Sequence, residues 1–106
     1  MIDLPSAILL AAWNGPAIVG TVGAMLFPAY FNRAVTIGQE CFWWVLPEHR
    51  GTAGPAMLDA IEQAAREAGA VRFMMVCLEA LRPEAVGRLY ERRGYAPLEH
   101  SYVRAL

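Results

Sequence analysis

Trp43-Trp44-Val45-Leu46-Pro47-Glu48-His49-Arg50-Gly51-Thr52-Ala53-Gly54-Pro55-Ala56-Met57-Leu58 is the stretch on which the fold turns. Its first residues are aromatic and β-branched, the composition of a strand. Residues 47–55 are a run of breakers and predict a turn. Beyond it, Met57, Leu58, Ile61, Ala64, Ala65 and Ala68 recur at helical spacing, while Asp59, Glu62, Gln63, Arg66 and Glu67 take the opposite face. A strand that runs through a glycine-containing turn into a helix start is an anion site in physical terms. The first helical amides lack partners and sit at the positive end of the macrodipole. Gly51 and Gly54 let the backbone approach a bulky phosphate, and Arg50 can add a charge-assisted contact. No Gly-Lys-Ser/Thr follows, which argues against an NTPase, and no Gly-x-Gly-x-x-Gly is present for a dinucleotide. As a bare pattern, the same turn also reads as an ordinary strand-to-helix connection with glycines for geometry.

Upstream, residues 4–32 carry no charge, long enough to raise the question of a membrane span. Pro5, Asn14-Gly15-Pro16, Gly20, Gly23 and Pro28 interrupt the run. Asn-Gly between two apolar segments predicts a hairpin, with strands over 6–13 and 17–27 and Pro28 closing the second. The first charge is Asp3, so there is no basic start for a secretory signal. A third strand is expected over 35–46. Downstream, Gly69 is a natural helix stop, residues 71–78 predict a buried strand, and Pro83 suits the first turn of a helix ending near Gly94. Its apolar stripe is Val86, Leu89 and Tyr90, and residues 95–105 look like a closing strand. The order β-β-β-α-β-α-β predicts a mixed, mainly antiparallel sheet with helices packed on it, an α/β (α+β) fold in one domain spanning 1–106.

Composition narrows the function. The 106 residues are 57% hydrophobic, with ten acidic and nine basic residues and a net charge of −1. That balance leaves no excess positive charge for a nucleic-acid backbone. All nine basic residues are Arg, which excludes a Schiff-base or Walker-type lysine. Cys41 and Cys77 cannot build a disulfide framework, and with two distant histidines they make no four-ligand zinc site. Both lie in apolar runs, where buried free thiols are expected, and a reducing, cytoplasmic setting follows.

The segment 45–58 resembles the acetyl-CoA-binding motif of the GNAT superfamily of N-acetyltransferases, whose pattern is strand, Val-x-Pro, Arg-Gly-x-Gly-x-Gly or Ala, then helix. Further on, Leu89-Tyr90-Glu91-Arg92-Arg93-Gly94-Tyr95 is similar to that family's later Leu/Phe-Tyr-Glu-x-x-Gly-Phe/Tyr signature. The ending, Gly94-Tyr95-Ala96-Pro97-Leu98-Glu99, is similar to shorter phage- and prophage-type members. Ala53 and Pro55 depart from the usual small residues, and Pro55 removes one amide donor. Pro83 stands where many members have Asn. The chain starts at what corresponds to the family's second strand, so the acceptor site is expected to be open or completed by another chain.

The resemblance implies acetyl-CoA as cosubstrate and an amine, small molecule or protein, as acceptor. It implies that the pantetheine arm pairs with backbone at Trp44, Val45 and Leu46, where the strand splays from its neighbour. The pyrophosphate would rest on amides of Arg50, Gly51, Thr52, Ala53 and Gly54. By the same resemblance Tyr90 is the general acid for the CoA sulfur, and its reference pKa somewhat above that of a thiol suits the task. A core tyrosine beside Val86 and Leu89 is the competing reading. Glu40, a lone carboxylate in an apolar strand where burial raises a carboxyl pKa, is the first candidate base, and Glu79 the second. Either is otherwise a solvated strand-edge charge. His49 and His100 read as loop or surface histidines, and Arg88, Arg92 and Arg93 as a solvated helix face or as phosphate contacts. The leading expectation is an acetyl-CoA-dependent N-acetyltransferase. A catalytically idle CoA-binding or protein-interaction module and a small membrane-associated protein are the competing classes. The uncharged run and the Trp43-Trp44 pair offer more apolar surface than two helices cover, so a homo-oligomer is expected.

Overall fold

The computed structural model describes residues 6–29, 32–75, 83–98 and 102–106. They fall into two compact units, Met1–Val76 and Cys77–Leu106.

In the first unit, β1 (Ser6–Asn14) and β2 (Ala17–Ala29) form the expected hairpin, and β3 (Asn32–Val45) continues the antiparallel meander. A 3-10 turn at Pro47–His49 leads into α1 (Arg50–Glu67), and β4 (Ala70–Met74) then pairs parallel to β3. The sheet order is β1-β2-β3-β4. A parallel pair needs a crossover, and α1 supplies it. Gly69, at φ 97°, ends the helix where the sequence places its stop.

The core lies between α1 and one face of the sheet. Val22, Ala24 and Leu26, alternating along β2, are buried, as are Met57, Leu58, Ile61 and Ala65 on α1. Leu58, Ile61 and Val22 are fully enclosed, and each such side chain contributes ~1.5–3 kcal/mol relative to leaving it exposed. Gly20 sets how close α1 can come: a Cβ there would stand 2.8 Å from Met57 Sδ and 3.0 Å from the Trp44 carbonyl. The opposite face is different. The cross-strand rows Leu9–Gly23–Phe42 and Ala11–Thr21–Trp44 lie on it, and Leu9, Trp13, Ile18, Phe42 and Trp44 are all exposed. Among the described residues, no helix is long and apolar enough to cross a membrane.

Three expectations about the elements are corrected. Pro28 does not close β2, which runs on to Ala29. The β2–β3 ladder carries on past it, through the Pro28–Thr36 pair to Ala29 opposite Asn32. Residues 50–55 are helix rather than turn, with Pro55 inside α1. The donor that Pro55 lacks would have met the Gly51 carbonyl, and Gly51 is exposed, so water can serve it. Residues 95–98 and 102–106 belong to no strand, against the closing strand expected over 95–105. Pro97 lacks a ladder donor, and Tyr95 is already committed to the end of the preceding helix.

That helix, α2 (Pro83–Arg92), begins at Pro83 as expected and is the element of the second unit. Its end is a complete Schellman motif. Tyr95 N–H donates to the Tyr90 carbonyl at 3.0 Å and Gly94 N–H to the Glu91 carbonyl at 3.1 Å, with Gly94 at φ 91°. The ring of Tyr95 meets that of Tyr90 at a centroid distance of 5.7 Å, the apolar contact such a motif carries. Spacing and identity in Tyr90-Glu91-Arg92-Arg93-Gly94-Tyr95 thus have a local structural cause.

Candidate acyl-CoA site

The site is built on the part of β3 that follows its described pairs with β4. Among the described residues, β4 pairs with β3 over Thr36 to Gln39, the last such pair being Gln39–Met74. β3 runs six residues further, to Val45. A bulge interrupts this stretch: Gly23 faces Phe42 and Ala24 faces Glu40, leaving Cys41 as the extra residue. Cys41 is consequently exposed and free, not buried as its apolar surroundings suggest. Cys77 lies outside the described residues.

Which peptide groups turn away from β2 follows from one hydrogen bond. Leu46 N–H donates to the Val19 carbonyl at 2.8 Å. In an antiparallel ladder, hydrogen-bonded and non-hydrogen-bonded pairs alternate. The Trp44–Thr21 pair therefore bonds across to β2, while the peptide groups of Val45 and Trp43 point to the other edge. Of the three residues named from sequence for backbone pairing, Val45 turns its peptide groups to that edge, together with Trp43, while the Trp44 peptide and the Leu46 N–H turn to β2.

The corner after β3 is tightly bonded. His49 N–H donates to the Leu46 carbonyl at 2.9 Å, and Arg50 N–H to the Pro47 carbonyl. Arg50 Nε donates to the Val45 carbonyl at 3.1 Å. With His49 as N-cap, Arg50, Gly51 and Thr52 are the first three helical residues. Arg50's amide is occupied, and Gly51 and Thr52, both exposed, hold the next two amides of the helix start. His49 makes no side-chain cap and the first turn holds no acidic residue, so the positive end of the dipole is unneutralised by α1 itself. From Ala53 onward, carbonyls one turn back are within helical reach. Gly54 is buried and packs under Trp43, where a Cβ would lie 3.7 Å from Cζ2. Thr52 Oγ1 donates to the His49 carbonyl at 3.4 Å.

Glu40 is buried, 8% exposed, opposite Ala24 and on the face shared by Val22 and Leu26. Tyr90 is also 8% exposed, in the second unit. Arg88 and Arg92 are exposed, and Arg92 lies in the last turn of α2, where a cation complements the dipole. His49 is half-buried in the 3-10 turn. Glu79 and His100 lie outside the described residues.

The model of the acetyltransferase (GNAT) family matches residues 1–95. The chain belongs to that family. Among solved structures, this GNAT protein is similar to a ribosomal-protein-alanine N-acetyltransferase from Brucella melitensis biovar Abortus 2308. The two are 26% identical with a TM-score of 0.76, over 94% of this chain and 71% of that one. A putative acetyl transferase from Pyrococcus furiosus shares the fold at 24% identity and TM-score 0.80, over 95% of this chain and 66% of that one. So does a predicted acetyltransferase with acetyl-CoA from Clostridium acetobutylicum, at 19% identity and TM-score 0.70, over 93% and 64%. No curated protein matches the chain. Family and neighbours together mark an acyltransferase.

Proposed function

We propose that this GNAT protein moves an acetyl group from acetyl-CoA directly to a primary amine. The observation that carries the reading is the turning of the Trp43 and Val45 peptide groups away from β2, on a strand that runs straight into the exposed start of α1 at Gly51 and Thr52. An amide-rich arm fits such peptide groups, and a diphosphate fits such a helix start. In the reaction, the neutral amine nitrogen attacks the thioester carbonyl carbon, its proton passes to a base, and the C–S bond breaks. The departing thiolate then takes a proton. Glu40 is the proposed base, directly or through water, with Glu79 as the second candidate. Tyr90 is the proposed acid at sulfur, on the strength of the motif that contains it. The acceptor is a small amine, a peptide N-terminus or a lysine side chain, and a reducing, cytoplasmic setting suits the exposed thiol of Cys41.

Calorimetry with acetyl-CoA, followed by release of free thiol in the presence of each amine class, tests this. Heat of binding and amine-dependent thiol release are expected, with a peptide beginning in alanine included because a relative is named for that substrate. Binding without release under every amine would convert the protein into an idle CoA-binding module. Absence of both binding and thermal shift at millimolar acetyl-CoA would reject the reading.

The outer sheet face is proposed to be covered by a second copy. Leu9, Trp13, Phe42 and Trp44 form an uncharged apolar surface beside β1, an edge strand of nine residues without charge or proline. Sedimentation should give a dimer or larger species, and a monomer at all concentrations would remove the proposal.

A further inference from the structure

Arg50 makes a bond that contact with a phosphate does not require. Its Nε donates to the Val45 carbonyl at 3.1 Å, in a part-buried setting and across five residues. Val45 is the last residue of β3 and Arg50 the first of α1. The other bonds of this corner, His49 to Leu46 and Arg50 N–H to Pro47, each close a single turn. Among these described bonds, the guanidinium bond is the one that joins the strand end to the helix start. It also engages the carbonyl of a residue whose peptide points away from β2, the side on which a ligand would meet β3.

We infer that Arg50 is a positioning residue, whose guanidinium staples the end of β3 to the first turn of α1 and so fixes the distance between the strand edge and the amides of Gly51 and Thr52. The inference rests on the acetyl-CoA reading of this site and changes the part Arg50 plays in it, from phosphate ligand to spacer. An arginine suits the task because its Nε–H lies in a rigid plane and keeps its charge. A lysine keeps the charge but presents a mobile point cation without that plane.

The test compares acetyl-CoA with S-acetylpantetheine, which carries the same arm and thioester but neither nucleotide nor phosphate. With a staple, Arg50→Lys and Arg50→Ala both raise KM for both compounds by a similar factor, about tenfold. The salt dependence of acetyl-CoA binding stays as in the wild type. With a phosphate ligand, acetyl-CoA alone is weakened, the salt dependence becomes shallower and Arg50→Lys retains most of the affinity. That pattern overturns the inference. A measurement on the unsubstituted free protein stands independently of ligand binding and of how the variants fold. The Arg50 Nε–H proton should exchange slowly with water and show NMR coupling to the Val45 carbonyl carbon. Exchange at the rate of a solvated arginine overturns the staple. If the wild type binds neither compound, the cofactor reading fails while the proton measurement still decides the bond.

Discussion

Tyr90→Phe should lower kcat by about 10²-fold or more while leaving acetyl-CoA affinity and the thermal midpoint close to wild type. The three parts of this expectation have separate causes. Stability should hold because the contact that Tyr90 makes with Tyr95, at 5.7 Å between centroids, is made by the ring. The bonds that end α2 run from Tyr95 and Arg93 N–H to the Tyr90 carbonyl, which the substitution keeps. Affinity should hold because the hydroxyl is needed when charge develops on sulfur, and not while the thioester is intact. Turnover should fall because the thiolate then leaves without its proton donor, and a loss made only in the transition state appears in kcat. The measurement is kcat for both proteins beside their midpoints. Unchanged kcat would assign Tyr90 to the helix terminus alone. The Schellman geometry makes that a real alternative, since it accounts for the tyrosine–glycine–tyrosine spacing without chemistry.

The same residues show how far the sequence could be read. Asn14-Gly15 announced the hairpin, although the two loop residues are Gly15 and Pro16, with Asn14 paired to Ala17; Gly15 supplies the positive φ such a turn needs, at 62°. The body of α1 announced itself by period, and of the residues at that period Met57, Leu58, Ile61 and Ala65 are buried, while Ala64 is half-buried and Ala68 is exposed past the helix end. The start of α1 was hidden for a physical reason. Gly51, Gly54 and Pro55 are poor helix residues, and local propensity places a turn there. Gly54 is instead buried against Trp43, where a small residue lets the helix approach the sheet, so packing outweighs propensity. The bulge at Cys41 was hidden for another reason: it is a mismatch between two strands, and neither strand records it alone. Whether Trp43 or Trp44 turns its peptide away from β2 depends on pairing parity, and composition is blind to parity. The bond from Arg50 Nε to the Val45 carbonyl is likewise a matter of three-dimensional geometry that residue identity does not display.

Glu40→Gln should reduce kcat/KM for the amine by about 10²- to 10⁴-fold, the range for loss of a positioned base. Glu40 sits on the helix-packed face opposite Ala24, beside the bulge that displaces Cys41, and only 8% of it is exposed. Glutamine keeps the volume of the side chain and one acceptor oxygen, so the fold and the KM for acetyl-CoA should survive. What disappears is the ability to take a proton. The wild-type pH–rate profile should rise on its acidic side as Glu40 and the amine lose protons, and the part due to Glu40 should be missing from the variant. Glu40→Asp, which shortens the side chain but keeps the carboxylate, should recover part of the rate. If Glu40→Gln turns over at the wild-type rate with an unaltered profile, Glu40 is a buried structural carboxylate. The proton then leaves by another group, with Glu79 next to be substituted.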